Sequence, residues 1–143
     1  MAAPLAQEEL VVGGTLREGY DLDFSELDPV NTDWYDPAFA TLYDSLMIDE
    51  PDGTLEPNLA ESWEVSGDGM TVTFALREGA KFHSGRPVTA EVVKEVYEAI
   101  MDPANASPLA SLFTPVESIE ATDERTLEFD MAHPCLEAGG ERG

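Results

Sequence analysis

From Thr71 to Leu76 the chain alternates without a break, Thr-Val-Thr-Phe-Ala-Leu, directly after the cluster Ser66-Gly67-Asp68-Gly69. A period of two sends Val72, Phe74 and Leu76 to one face and Thr71, Thr73 and Ala75 to the other, the pattern of a strand with one buried side. The cluster before it consists of residues that accept positive φ or bond their own backbone, so it turns the chain. Trp63 and Val65 lead into that turn as the partner strand of a β-hairpin. Arg77-Glu78-Gly79 then turns the chain again, Lys81-Phe82 makes a short extended step, and Ser84-Gly85-Arg86-Pro87 turns it into a helix.

Thr89 is the natural cap of that helix, which runs from Ala90 to Met101 with Val92, Val93, Val96, Tyr97 and Ile100 on its apolar face. Asp102-Pro103 ends it. Ala104 to Pro115 reads as a loop with at most one helical turn around Leu109–Phe113. A second hairpin follows, Val116 to Glu120 against Thr126 to Met131 across Thr122-Asp123-Glu124, with Leu127, Phe129 and Met131 on one face. Upstream, Asp36 caps and Pro37 opens an earlier helix, whose Phe39, Leu42, Tyr43 and Leu46 recur at i, i+3, i+4 and i+7. Met47-Ile48-Asp49 is a short strand step, and Glu50-Pro51-Asp52-Gly53 a turn. Leu10 to Thr15, apolar and closed by glycines, reads as a first buried strand.

Charge narrows the function. Thirty Asp and Glu face seven Lys and Arg, a formal net charge of -23 over 143 residues. Such a surface repels phosphate backbones and anionic head groups, which argues against nucleic-acid and membrane-surface binding. With Lys81 and Lys94 as the only lysines, the acidic excess suits either plain solubility or work in high salt. Cys135 stands alone, His83 and His133 lie far apart, and no ligand spacing surrounds them, so no metal or cofactor is expected. The acidic stretch Asp21, Asp23, Glu26, Asp28, Asp33 and Asp36 lacks the EF-hand order. No run of eighteen apolar residues is present to span a membrane. Scattered carboxylates without a nucleophile motif argue against an enzyme.

The order Ala60, Asp68, Thr71-Val72, Phe74, Leu76-Arg77, Glu78-Gly79, Lys81-Phe82 and Gly85-Arg86-Pro87-Val88-Thr89-Ala90 closely resembles the signature of the family 5 extracytoplasmic solute-binding proteins. These are the peptide, dipeptide and nickel binders that feed ABC importers. Leu42-Tyr43-Asp44-Ser45-Leu46, Asp52-Gly53-Thr54 and Leu59-Ala60-Glu61-Ser62-Trp63 extend the likeness, which runs from about Leu10 to Pro134. One departure is Val92, which stands where the family's acidic capping-box partner falls. The resemblance implies an α/β (α+β) fragment: the N-terminal part of a periplasmic-binding-protein-like (class II) lobe, with short strands, two hairpins and two main helices. Residues 1–9 would be residual signal or linker, 10–134 the first-lobe part with its small subdomain, and 135–143 an aberrant polar tail.

The implied function is the substrate-binding component of an ABC importer for peptides or related small solutes, periplasmic or extracytoplasmic. Its partners would be the solute and the ABC permease. Family members are several-fold longer, so a truncated chain is expected not to bind alone, and its uncovered apolar surface invites self-association. A stand-alone acidic interaction module or a non-functional gene remnant is the alternative. The signature residues Ala60, Asp68, Phe74, Leu76, Arg77, Phe82, Gly85 and Pro87 are expected to be structural. For ligand contact, Arg17 and Glu18 would leave the carboxyl end of the first strand, where α/β crevices lie, or else sit in a solvated loop. Trp34 and Tyr35 precede a helix amino end, where they would meet a ligand or pack as a staple.

Overall fold

A computed structural model describes residues 13–15, 17, 28–31 and 41–135. Two short strands open this region, β1 (Met47–Asp49) and β2 (Leu55–Pro57), paired antiparallel as a ribbon. Asp52 closes the turn between them, its Oδ1 accepting from the Thr54 amide at 2.9 Å and the Thr54 hydroxyl at 2.6 Å. A four-stranded sheet follows in the order β3-β4-β6-β5, made of β3 (Ala60–Val65), β4 (Thr71–Leu76), β5 (Val116–Ala121) and β6 (Thr126–Met131). All its neighbours are antiparallel.

The alternation at β4 does what its period demands. Phe74 and Leu76 are buried on the core face, while Thr71 pairs across the sheet with Asp130 on the other. Asp68 holds the hairpin turn, accepting from the Ser66 hydroxyl at 2.7 Å and the Met70 amide at 3.0 Å. Helix α1 (Ala90–Met101) lies on the core face over β5 and β6, burying Ala90, Val93 and Ile100. Thr89 caps it, its Oγ1 accepting from the Val92 amide at 3.4 Å, the expected bond without a reciprocal acidic partner. Asp102 stops it and Pro103 begins a 3-10 turn to Asn105; a second 3-10 turn spans Ala110–Phe113.

At the centre Phe74 meets Phe129 edge-on at 5.4 Å between centroids, and Tyr97 of α1 meets Phe129 at 5.3 Å and Phe113 at 5.4 Å. Each such pair contributes about 0.5–1.5 kcal/mol beyond its burial. Together they join sheet, helix and second 3-10 turn.

The two hairpins repeat one motif. Glu61, Ser62, Glu64, Asp68, Thr71 and Phe74 recur as Glu117, Ser118, Glu120, Asp123, Thr126 and Phe129. Both edge strands carry a register shift at the same place, between Ala60 and Ser62 in β3 and between Val116 and Ser118 in β5. The central pairing is symmetric about Thr73 opposite Glu128, so that Val72 faces Phe129 and Phe74 faces Leu127. Backbone bonds outside the strands obey the same two-fold relation. Met131 N donates to the Met70 carbonyl at 2.8 Å, as Leu76 N does to that of Arg125 at 2.7 Å.

One sequence expectation fails. Tyr43 and Leu46 do not continue a helix: the described helical residues end at Leu42. The reason is tertiary. Ser45 and Leu46 carbonyls accept from the Leu59 and Ala60 amides at 3.1 and 3.0 Å, and the Asn58 side chain donates to Ser45 O at 3.1 Å. Those bonds pull the segment out straight. The helix before Thr41 and the strand over residues 10–12 lie outside the described residues, and Gly13–Thr15 are exposed and not in a strand.

Candidate functional site

Of the four residues expected to face a ligand, the structure describes Arg17, which is exposed; Glu18, Trp34 and Tyr35 lie outside the described residues. The segment between them, 28–31, is a self-bonded turn. Asp28 accepts from the Val30 amide at 2.9 Å and from Asn31 Nδ2 at 2.7 Å, and these bonds hold its carboxyl below the usual range. Val30 O in turn accepts from the hydroxyl of buried Ser107, tying this turn to the start of the loop after α1.

That anchoring places Pro29 at one wall of a cavity of about 240 Å³. Leu42, Val88, Val92 and Val96 line it, and Asp44, Lys81 and His83 are its polar members. A second hollow, about 340 Å³, opens over Val72, Phe74, Phe129 and Met131; Leu46 and Tyr97 stand between the two and line both. Sequence reasoning placed both residues on helix faces and missed this shared position, because Leu46 reaches it only through the pairing with 58–60. A third groove, between α1 and the β5 edge, is polar, lined by Lys94, Glu117 and Glu120 among others; Lys94 Nζ lies 3.4 Å from Glu98 and 3.9 Å from Glu91 on its own helix.

Chemically these surfaces are suited to holding apolar groups. Tyr97 is the one group here with a strongly shifted proton affinity: burial pushes its phenol up to about 12, so it stays protonated at neutral pH and cannot serve as a base. Asp52, Asp68 and Asp123 have lowered pKa values because of hydrogen bonds within their own turns, first the Thr54 hydroxyl, the Ser66 hydroxyl and the Arg125 amide respectively. Among the described residues no three His, Cys, Asp or Glu side chains come together as metal ligands, and no helix is long and apolar enough to cross a membrane.

All eight signature residues lie within the described residues. Ala60 is fully buried beneath the β1 approach, and Phe74 and Leu76 fill the core. Asp68 closes its turn, and Arg77 Nε donates to Asn58 O at 3.0 Å. Phe82 lies under the Arg86 guanidinium at 5.7 Å, Gly85 adopts φ +83°, and Pro87 bridges to Lys81.

Comparison with known proteins gives these geometries a context. The family described as bacterial extracellular solute-binding proteins, family 5 middle, matches residues 54–139. The periplasmic oligopeptide-binding protein OppA of Haemophilus influenzae is 39% identical over 82 residues, 57% of this chain and 15% of that protein. The glutathione-binding protein GsiB of Escherichia coli K12 is 35% identical over 114 residues, 78% of this chain and 22% of its own. Among solved structures, NikZ from Campylobacter jejuni, in complex with Ni(L-His), superposes with a TM-score of 0.73 at 25% identity, covering 79% of this chain and 23% of that one. The chain thus spans about a fifth of the length of the curated relatives it matches.

Proposed function

Because this chain belongs to the family 5 bacterial extracellular solute-binding proteins, we propose that it is part of the substrate-binding component of an ABC importer for peptides or related small solutes. The fold is an α/β piece of a periplasmic-binding-protein-like lobe, and the relatives are binding proteins rather than enzymes. The single observation carrying the proposal is the family match across β3 to β6, whose signature residues fall on the positions that build this scaffold.

In this reading residues 10–134 contribute to the first lobe and its small subdomain, working outside the cytoplasm with an ABC permease. Arg17, Glu18, Trp34 and Tyr35 face the solute in the complete site. The relatives' names span oligopeptide, glutathione and a nickel–histidine complex, so ligand identity does not pass to this chain with the family. The two apolar cavities described above, of about 240 and 340 Å³, lie at the lower end of the roughly 300–1,000 Å³ of ordinary ligand pockets or below it, which supports the view that this span alone does not desolvate a peptide. Calorimetric titration of the 143-residue chain with mixed di- and oligopeptides is expected to give no saturable heat. Micromolar binding would refute the claim that further walls are needed.

A further inference from the structure

Between β4 and α1 the chain forms a closed knob over residues 80–88. Val88 N donates to the Ala80 carbonyl at 2.9 Å, Phe82 N to that of Arg86 at 2.9 Å, and Gly85 N to that of Phe82 at 2.8 Å. Both ends are held. Arg77 N donates to the Leu59 carbonyl at 2.8 Å ahead of the knob, and behind it Thr89 caps α1 while Ala90 N donates to the Glu124 carbonyl at 2.8 Å. Contact with a partner therefore orders little further backbone.

In charge the knob is the reverse of the chain that carries it. No Asp or Glu occurs from Gly79 to Ala90, on a chain with thirty, whereas the stretch from Arg77 to Arg86 holds three of its seven Lys and Arg. Pairing sharpens the contrast. Lys94 and Arg125 each reach two carboxylates, but among the described residues Lys81 and Arg86 reach none. Asp44 lines the same cavity as Lys81 and His83 and pairs with neither. Residues 81–87 are all exposed; Phe82 is 40% so, with the Arg86 guanidinium 5.7 Å from its ring centroid. Aromatic rings and Arg are the anchors of protein interfaces, and unpaired cations beside them set the sign of the partner.

The net charge of -23 decides the partner's class. At physiological salt a charge acts over about 8 Å, so the knob attracts locally. Nucleic acid or an anionic membrane would extend well beyond it and lie against the surrounding carboxylates. A protein can present a few carboxylates at one spot.

We propose that the 80–88 knob is a docking element for a partner protein whose pocket takes the Phe82 ring and whose rim carries carboxylates that pair with Lys81 and Arg86.

The probe is a blocked hexapeptide of alternating glutamate and leucine, titrated into the ¹⁵N-labelled 143-residue chain in about 20 mM NaCl. Saturable amide shifts confined to Lys81–Arg86 and Val88 are expected, with Kd about 1 mM, too weak to register as solute binding in calorimetry. Lys81→Glu combined with Arg86→Glu is expected to weaken binding at least about tenfold, and Lys94→Gln to leave it unchanged. If the double variant does not fold, the wild-type chain still decides, because raising NaCl to about 0.5 M should weaken the same shifts. No saturable shift at millimolar peptide would overturn the proposal, as would equal shifts with a glutamine–leucine peptide or shifts centred on Lys94 or Arg125. Tighter binding of oligothymidylate or of anionic phospholipid vesicles at the same residues would assign the knob to polyanions and overturn it too.

Discussion

Two glycines with nearly the same backbone angle allow one close approach in this fold to be weighed. Gly69 has φ +72° and Gly79 has φ +75°, both in the left-handed region. An alanine Cβ at Gly79 would meet nothing within 4 Å, whereas at Gly69 it would lie 2.9 Å from Cys135 O and 3.2 Å from Pro134 Cβ. Gly79→Ala therefore bears only the left-handed penalty, about 1 kcal/mol. Gly69→Ala bears the same penalty and must also displace backbone, which sacrifices the Cys135 N to Gly69 O bond, worth about another 1 kcal/mol. The expected loss is about 2–3 kcal/mol once residual crowding is added. In urea unfolding followed by tryptophan fluorescence, a slope near 1.5–2 kcal/mol/M converts these into midpoint drops of about 1–2 M for Gly69→Ala and about 0.5–0.7 M for Gly79→Ala. Deleting residues 134–143 in both backgrounds should erase the difference, since the obstacle leaves with them. Equal midpoints in the full chain, or a surplus that survives the deletion, would refute the reasoning.

Two further outcomes follow from charge and burial. Arg125 reaches Glu61 at 3.0 Å and Glu78 at 3.6 Å from a half-exposed position, so Arg125→Ala should cost about 0.5–1 kcal/mol in low salt. That difference should shrink in 1 M NaCl, where screening acts within roughly 3 Å; a salt-independent loss in matched chemical denaturations would point to packing instead. Tyr97, with its folded pKa raised to about 12 by burial, keeps its stabilising contribution below the unfolded value near 10 and loses it as pH rises toward 12. Ultraviolet titration should therefore show a late phenolate step that Tyr97→Phe removes; an unchanged profile would contradict the burial.

How much of this was readable beforehand depended on how local each cause is. The hairpin at β3–β4, the Thr89 cap, the end at Asp102-Pro103 and the second hairpin rest on period and turn chemistry within a few residues, and they form as read. The β4–β6 pairing that makes one sheet of two hairpins has no local signal, because residues 59 apart meet, as Thr71 Oγ1 and Asp130 Oδ1 do at 3.1 Å. Tyr43 and Leu46 carried a helical spacing that lost, past Leu42, to the backbone bonds of Ser45 and Leu46. Strand β2 is too short to show a period. As for the site, the signature residues fall in strands and turns that local pattern already indicated, while Trp34, Tyr35 and Glu18 lie outside what the structure describes. The shared cavity wall at Leu46 and Tyr97 could not be foreseen, because it is made by elements distant in sequence.

The repeated bulge has a consequence for how this sheet meets other molecules. In each outer strand the inserted residue is a glutamate, Glu61 or Glu117, with another, Glu64 or Glu120, three positions on. A bulge bends the edge and leaves the extra residue outside the ladder, and a second chain laid alongside would bring its own carboxylates against these. Lateral growth into longer sheets or fibrils is thereby discouraged at both borders, by shape and by repulsion. Contacts made by this unit are steered off its rims.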